Sequence, residues 1–206
     1  MYIRVTRATT SQPLGDERVT QGGQRLTETF GQTPGYLGWA ALVDRASGKY
    51  VSVTYWADAE SMQASEEAGA ALRARVASEG SQVIDVERYE FLIQERVESP
   101  RAGTFLRVTE LAITPERINE LISHMAQNSV PQVKAQTGFR SFLVSANREA
   151  GKVLVASVWE SAAAREASDV ALRDERRTTT ERFGASVVSI ELYESAAVEV
   201  RLPEPA

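Results

Sequence analysis

Tyr2-Ile3-Arg4-Val5-Thr6 returns as Phe105-Leu106-Arg107-Val108-Thr109, an offset of 103 residues from position 2 to position 105. The same offset carries Gly35-Tyr36 onto Gly138-Phe139, Asp44-Arg45-Ala46-Ser47-Gly48-Lys49 onto Asn147-Arg148-Glu149-Ala150-Gly151-Lys152, and Trp56 onto Trp159. Tyr89-Glu90 matches Tyr193-Glu194 with a one-residue adjustment. A unit of roughly 100 residues is therefore written twice, and repeats of this kind cover the apolar surface that one copy cannot bury alone. The expected division is a first unit over 1–97, a linker over 98–103 (Glu98-Ser99-Pro100-Arg101-Ala102-Gly103) and a second unit over 104–206.

Each copy reads β-α-β-β-α-β. The opening strand alternates, with Ile3 and Val5 on one face and Tyr2, Arg4 and Thr6 on the other. In the second copy Thr114-Pro115-Glu116 reads as a helix start, followed by Ile118, Leu121, Ile122 and Met125 at helical spacing. The first-copy counterpart carries Val19, Leu26 and Phe30 but is interrupted by Gly22-Gly23, at about 1 kcal/mol each relative to alanine, so a bent or irregular helix is expected there. Hairpins with Gly-Lys turns follow Gly35 and Gly138, each ending in a tryptophan. Asp58 and Ser161 are placed to cap alanine-rich helices running through Leu72 and Leu172, and a last strand closes each copy.

This order implies α+β architecture: two tandem ferredoxin-like units, each with both helices on one sheet face. The other face carries Ile3, Val5, Val51, Val53 and Tyr55, matched by Leu106, Val108, Leu154, Ala156 and Val158, which is too apolar to leave in water. The expectation is two sheets packed face to face as an intramolecular pseudo-dimer, an α/β barrel in one chain, with further self-association open.

The chain has 206 residues, 43% hydrophobic and 25% charged, the balance of a globular protein. A net charge of −5 with no Lys/Arg run argues against nucleic acid or an anionic membrane as partner. No segment approaches the roughly 20 apolar residues of a membrane span, and the N-terminus lacks a secretory pattern, so the expected location is the cytoplasm. Without cysteine, and with one histidine, thiolate and multi-histidine metal sites are excluded within one chain, and no metal or cofactor is expected.

Arg4/Thr6 and Arg107/Thr109 in the opening strands, Pro34-Gly35-Tyr36 and Thr137-Gly138-Phe139 before the second, and Tyr55-Trp56 and Val158-Trp159-Glu160-Ser161 ending the third resemble the antibiotic biosynthesis monooxygenase domain of the dimeric α/β-barrel superfamily. The resemblance spans both copies. It implies small oxygenases that oxidise aromatic polyketides without metal or flavin, or haem-degrading enzymes. In the latter an asparagine in the first strand and a histidine on the second helix act with the tryptophan. Here threonines (Thr6, Thr109) stand at the asparagine position and neither second helix has a histidine, so haem degradation is disfavoured.

The candidate catalytic residues are His124, as a general base of suitable reference pKa, with Asn128 one turn later and Trp159. Candidate substrate-binding residues are Arg4, Thr6, Trp56, Arg107 and Thr109. The competing structural readings are core packing for Trp56, Trp159 and Trp39, a duplicated ion pair of Arg4 and Arg107 with Glu87 and Glu191, an ordinary helix-flank role for His124, and a solvated helix face for Arg173-Asp174-Glu175-Arg176-Arg177. The expected activity is cofactor-independent oxygenation of a planar aromatic or polyketide-like molecule. The alternatives are a non-catalytic binding or structural barrel, which predicts that the two pockets are filled by side chains, and isomerase or lyase chemistry on a similar carbanion.

Overall fold

The computed structural model describes residues 1–201. Eight strands occur among them: β1 (Tyr2–Thr10), β2 (Tyr36–Asp44), β3 (Lys49–Trp56), β4 (Ser81–Arg96), β5 (Thr104–Ala112), β6 (Phe139–Asn147), β7 (Lys152–Trp159) and β8 (Ser186–Val200). The helices are α1 (Asp16–Phe30), α2 (Ala59–Ala64), α3 (Glu66–Ser78), α4 (Ile118–His124), α5 (Val130–Lys134), α6 (Ala162–Ala171) and α7 (Arg173–Phe183). The chain is α+β, with two tandem ferredoxin-like units.

The compact units do not end at the repeat boundary. Among the described residues, unit 1 takes Met1–Tyr89, Pro100–Gly103 and 194–201; unit 2 takes Glu90–Ser99 and Thr104–Tyr193. The division falls inside β4 and β8 because these strands are 16 and 15 residues long, well beyond the usual five or six. In unit 1 the sheet order is β4-β1-β3-β2, and the 194–200 part of β8 lies along β2. In unit 2 the order is β8-β5-β7-β6, with the 90–96 part of β4 along β6. Each β2-type strand would otherwise present an unpaired edge, which this addition removes. Gly38 permits the close approach in unit 1: its φ is +126°, and a Cβ there would lie 2.0 Å from the Glu199 carbonyl oxygen.

The repeat is exact in register. Tyr2 opposes Trp56 and Arg4 opposes Thr54 in unit 1; Phe105 opposes Trp159 and Arg107 opposes Ser157 in unit 2. Alternation then sends Arg4 and Arg107 to the helix side, and buries Ile3, Val5, Val53 and Tyr55, and Leu106, Val108 and Leu154, on the opposite faces.

The irregular first helix lies in the second repeat, the reverse of the sequence expectation. α1 is continuous over 15 residues, burying Val19, Gly23, Leu26 and Phe30. Gly23 is there for contact: a Cβ would sit 2.0 Å from the Trp39 ring, whose indole nitrogen donates to Thr27 Oγ1 at 3.1 Å. Packing of this indole against the helix outweighs the propensity cost of the glycine pair. In unit 2, Pro115–Arg117 is a 3₁₀ turn without a side-chain cap from Thr114, α4 follows, and Met125–Ser129 widens to a π-turn before α5. Pro131 lacks the amide that an α-turn needs, so the ladder adjusts just ahead of it.

Asp58 and Ser161 cap as expected, accepting from Ser61 N at 2.7 Å and Ala164 N at 3.1 Å. The second helices break at Ser65 in unit 1 and at Leu172 in unit 2 instead of running straight through.

Candidate functional site

Each unit holds a cavity between its helices and its sheet, about 310 Å³ in unit 1 and about 370 Å³ in unit 2. Packed interiors rarely leave such space, so the reading in which side chains fill both pockets does not hold.

Arg4 and Thr6 line the unit 1 cavity, and Arg107, Thr109 and Trp159 line that of unit 2. Trp56 does not. It is fully buried, with Phe30 edge-on at 5.4 Å and Tyr36 at 5.2 Å, and it supports the Arg4 guanidinium carbon 5.5 Å from its ring centre. Both tryptophans satisfy their own donor: Trp56 Nε1 donates to Thr54 Oγ1 and Trp159 Nε1 to Ser157 Oγ, each at 3.0 Å. Trp39 and its counterpart Phe142 are both core.

The arginines are not held by the expected glutamates. Arg4 Nη2 donates to Met62 O at 2.7 Å and Ser65 Oγ at 2.9 Å and pairs with Glu66 at 3.2 Å, which places a guanidinium at the break between α2 and α3. Glu87 instead accepts from Arg7 at 2.5 Å and from the Tyr89 hydroxyl at 2.6 Å. Burial opposes charge on Arg7, but Glu87 and Asp85 outweigh it and hold that guanidinium above its ordinary pKa. In unit 2, Asp169 occupies the repeat position of Glu66; it meets Arg107 Nη1 and accepts from Arg176 at 2.6 Å. Arg73 and Arg176 are likewise repeat partners. Burial, opposed by Glu66 and reinforced by Arg73 and Arg88, pulls the Arg4 pKa down to about 10. Burial together with Arg176 and Arg165 does the same to Arg107, also to about 10. Each cavity wall thus carries a cation, buried in unit 1 and half-buried in unit 2, with more positive than negative company.

His124 and Asn128 stand behind the unit 2 cavity, outside its lining. Ser129 Oγ donates to Glu175 Oε1 at 2.6 Å, and Thr179 Oγ1 donates to the same oxygen at 3.1 Å. Having spent its proton, the Thr179 hydroxyl accepts from His124 Nε2 at 3.2 Å, which leaves Nδ1 to accept from Asn128 Nδ2, also at 3.2 Å. The His124 ring packs on Phe183 at 5.1 Å. Ser129, Glu175 and Thr179 all line the cavity. One carboxylate oxygen of Glu175 is fixed by two hydroxyls, and Oε2 takes no hydrogen bond among the described residues. The solvated-face reading of 173–177 holds for Arg173, Asp174 and Arg177, which are exposed, with Arg177 paired to Asp174 at 3.5 Å and to Glu181 at 3.1 Å; it fails for Glu175 and Arg176, which are half-buried on the cavity wall, because the break at Leu172 starts a new helix with its own facing.

Sequence reasoning passed over Glu66, Arg73, Asp169, Glu175, Arg176 and Thr179. The offset of 103 that pairs Ser65, Glu66 and Arg73 with Ser168, Asp169 and Arg176 was a usable signal for several of them. No trio of His, Asp or Glu able to hold a metal ion occurs among the described residues, and no helix among them is long and apolar enough to cross a membrane.

An uncharacterized protein of Mycobacterium tuberculosis, Rv2558, is 25% identical over 206 residues, covering 98% of this chain and 87% of that protein. The crystal structure of an anthrone oxidase-like protein is similar with a TM-score of 0.66 at 16% identity, covering 97% of this chain and 93% of the other. A haem-degrading enzyme from Listeria monocytogenes is similar with a TM-score of 0.56 at 10% identity, covering 95% and 99%. At these identities the two structures establish shared fold alone. The segment that holds Arg107, Thr109, His124, Asn128 and Trp159, residues 104–169, matches the model of the antibiotic biosynthesis monooxygenase family.

Proposed function

We propose that unit 2 is a monooxygenase site for a planar aromatic or polyketide-like molecule, and that Glu175 is its base. The observation that carries the reading is the Glu175 carboxylate, anchored through Oε1 by Ser129 and Thr179 with Oε2 unbonded, on the wall of a cavity that also presents Arg107 and Trp159. Glu175 removes a proton from the activated carbon or phenol of the substrate. Arg107 and Arg176 lie where positive charge stabilises the oxyanion form of the resulting carbanion. That electron-rich species reduces molecular oxygen. In balance, a methylene compound and O2 give the carbonyl compound and water, one oxygen atom going to each product. His124, held by Asn128, orients Thr179, Trp159 forms an apolar wall, and Thr109 gives a polar contact.

Oxygen uptake with anthrone tests this. Turnover above the buffer rate is expected for the full chain and should fall by about 10²-fold or more in Glu175→Gln, the range expected for a lost general base. Uptake equal to buffer across a panel of anthrone-like phenols sinks it. A binding role without turnover is favoured for unit 1 by one specific difference: Leu72 stands at the repeat position of Glu175, so that cavity has no matching base.

A further inference from the structure

The unit 1 cavity has a charge imbalance that its own residues do not resolve. Arg4, Arg18, Arg25 and Arg73 line it, and Glu79 is its one lining acid among the described residues. Glu79 is already engaged by Arg25 at 2.5 Å and Arg75 at 3.2 Å. Just behind the wall, Glu66 is shared three ways, at 3.2 Å from Arg4, 2.5 Å from Arg73 and 2.5 Å from Arg88. Three guanidinium groups thus meet one carboxylate.

Arg4 is only 2% exposed, and its Nε and Nη1 are buried without a hydrogen-bond partner. A buried donor left unpaired on a charged group is costly, and a bound anion would remove that cost. One of these, Arg4 Nη1, meets Arg73 Nη1 at Gly69. A Cβ on that glycine would lie 3.0 Å from Arg73 Nη1 and 3.1 Å from Arg4 Nη1, so a larger side chain would push both groups aside. The second repeat has Leu172 at this position, buried and lining its cavity, and Leu192 where the first has Arg88. The cluster over Gly69 therefore belongs to unit 1 alone. Around it the lining is apolar, with Leu26, Phe30, Val43 and Val76.

We infer that unit 1 is a binding site for an apolar or aromatic carboxylate, whose carboxylate group is held by Arg4 and Arg73 above Gly69. Guanidinium groups suit this ligand because their fixed donors match the spacing of a carboxylate, and burial strengthens the charge-assisted bonds. The site stands whether or not unit 2 turns over a substrate.

Calorimetric titration of the full chain with 2-naphthoate and with 2-naphthol, ligands of the same ring system that differ in charge, tests the assignment. Naphthoate is expected to bind about tenfold more tightly or better, a preference equal to about 1.4 kcal/mol. Gly69→Leu and Arg73→Met should each abolish that preference, while Arg148→Met, exposed and outside both cavities, should keep it. Circular dichroism and thermal melts establish that the variants are folded, and Gly69→Leu removes no charge. The assignment is overturned if naphthoate binds no better than naphthol, if neither binds, or if the preference survives both unit 1 changes or vanishes in Arg148→Met.

Discussion

The hydroxyl of Thr179 lies 3.1 Å from Oε1 of Glu175, to which it donates, and 3.2 Å from Nε2 of His124, from which it accepts. One threonine therefore couples a cavity carboxylate to the chain's one histidine. Thr179→Val keeps the shape and removes the hydroxyl, so oxygen uptake should fall by roughly an order of magnitude through loss of positioning, less than in Glu175→Gln. His124→Gln should fall to a similar level, because the Thr179 hydroxyl loses the ring nitrogen that fixes its direction. Steady-state rates of both variants against the full chain check this, and an unchanged rate in His124→Gln would detach the ring from the chemistry.

Gly22 and Gly23 are adjacent in α1 and should respond in opposite directions. A Cβ at Gly22 meets nothing within 4 Å, so Gly22→Ala should stabilise the chain by about 0.5–1 kcal/mol through helix propensity and a less flexible unfolded state. At Gly23 the new atom would sit 2.0 Å from the Trp39 ring, and overpacking at about 1–3 kcal/mol outweighs the same propensity gain. Urea denaturation of the two variants decides it; a stabilised Gly23→Ala would show that Trp39 can move.

This pair also marks what the sequence could and could not convey. Strands, hairpins and caps were legible because alternation, glycine turns and Asp58 or Ser161 act within a few residues, and because every reading could be checked against its copy. Helix regularity was not, since Gly23 answers to Trp39 from another element and Pro131 distorts residues that precede it. Arg4 and Arg107 were correctly placed on the helix side, yet their acids were sought on the neighbouring strand. Glu66 and Asp169 come instead from the second helix, whose facing depends on breaks at Ser65 and Leu172 that no local pattern announces. Glu175 escaped for the same reason: in a run of alternating charge, cavity-facing and solvent-facing positions carry the same residue types.

Trp56 and Trp159 share a strand position and a hydrogen bond but differ in surroundings, and truncation should separate them. Trp56→Ala removes a fully buried ring from the contact of Phe30, Tyr36 and Arg4, at about 3–5 kcal/mol. Arg4 would also lose the ring face that shields its charge, so naphthoate binding in unit 1 should weaken as well. Trp159→Phe keeps most of the packing against Phe139, edge-on at 6.1 Å, while reshaping the wall of the unit 2 cavity. Its melting temperature should shift modestly and its KM for anthrone should rise. Denaturant melts and steady-state kinetics on both variants test the contrast: equal stability losses, with KM unchanged in Trp159→Phe, would mean that the second tryptophan is core in the same sense as the first.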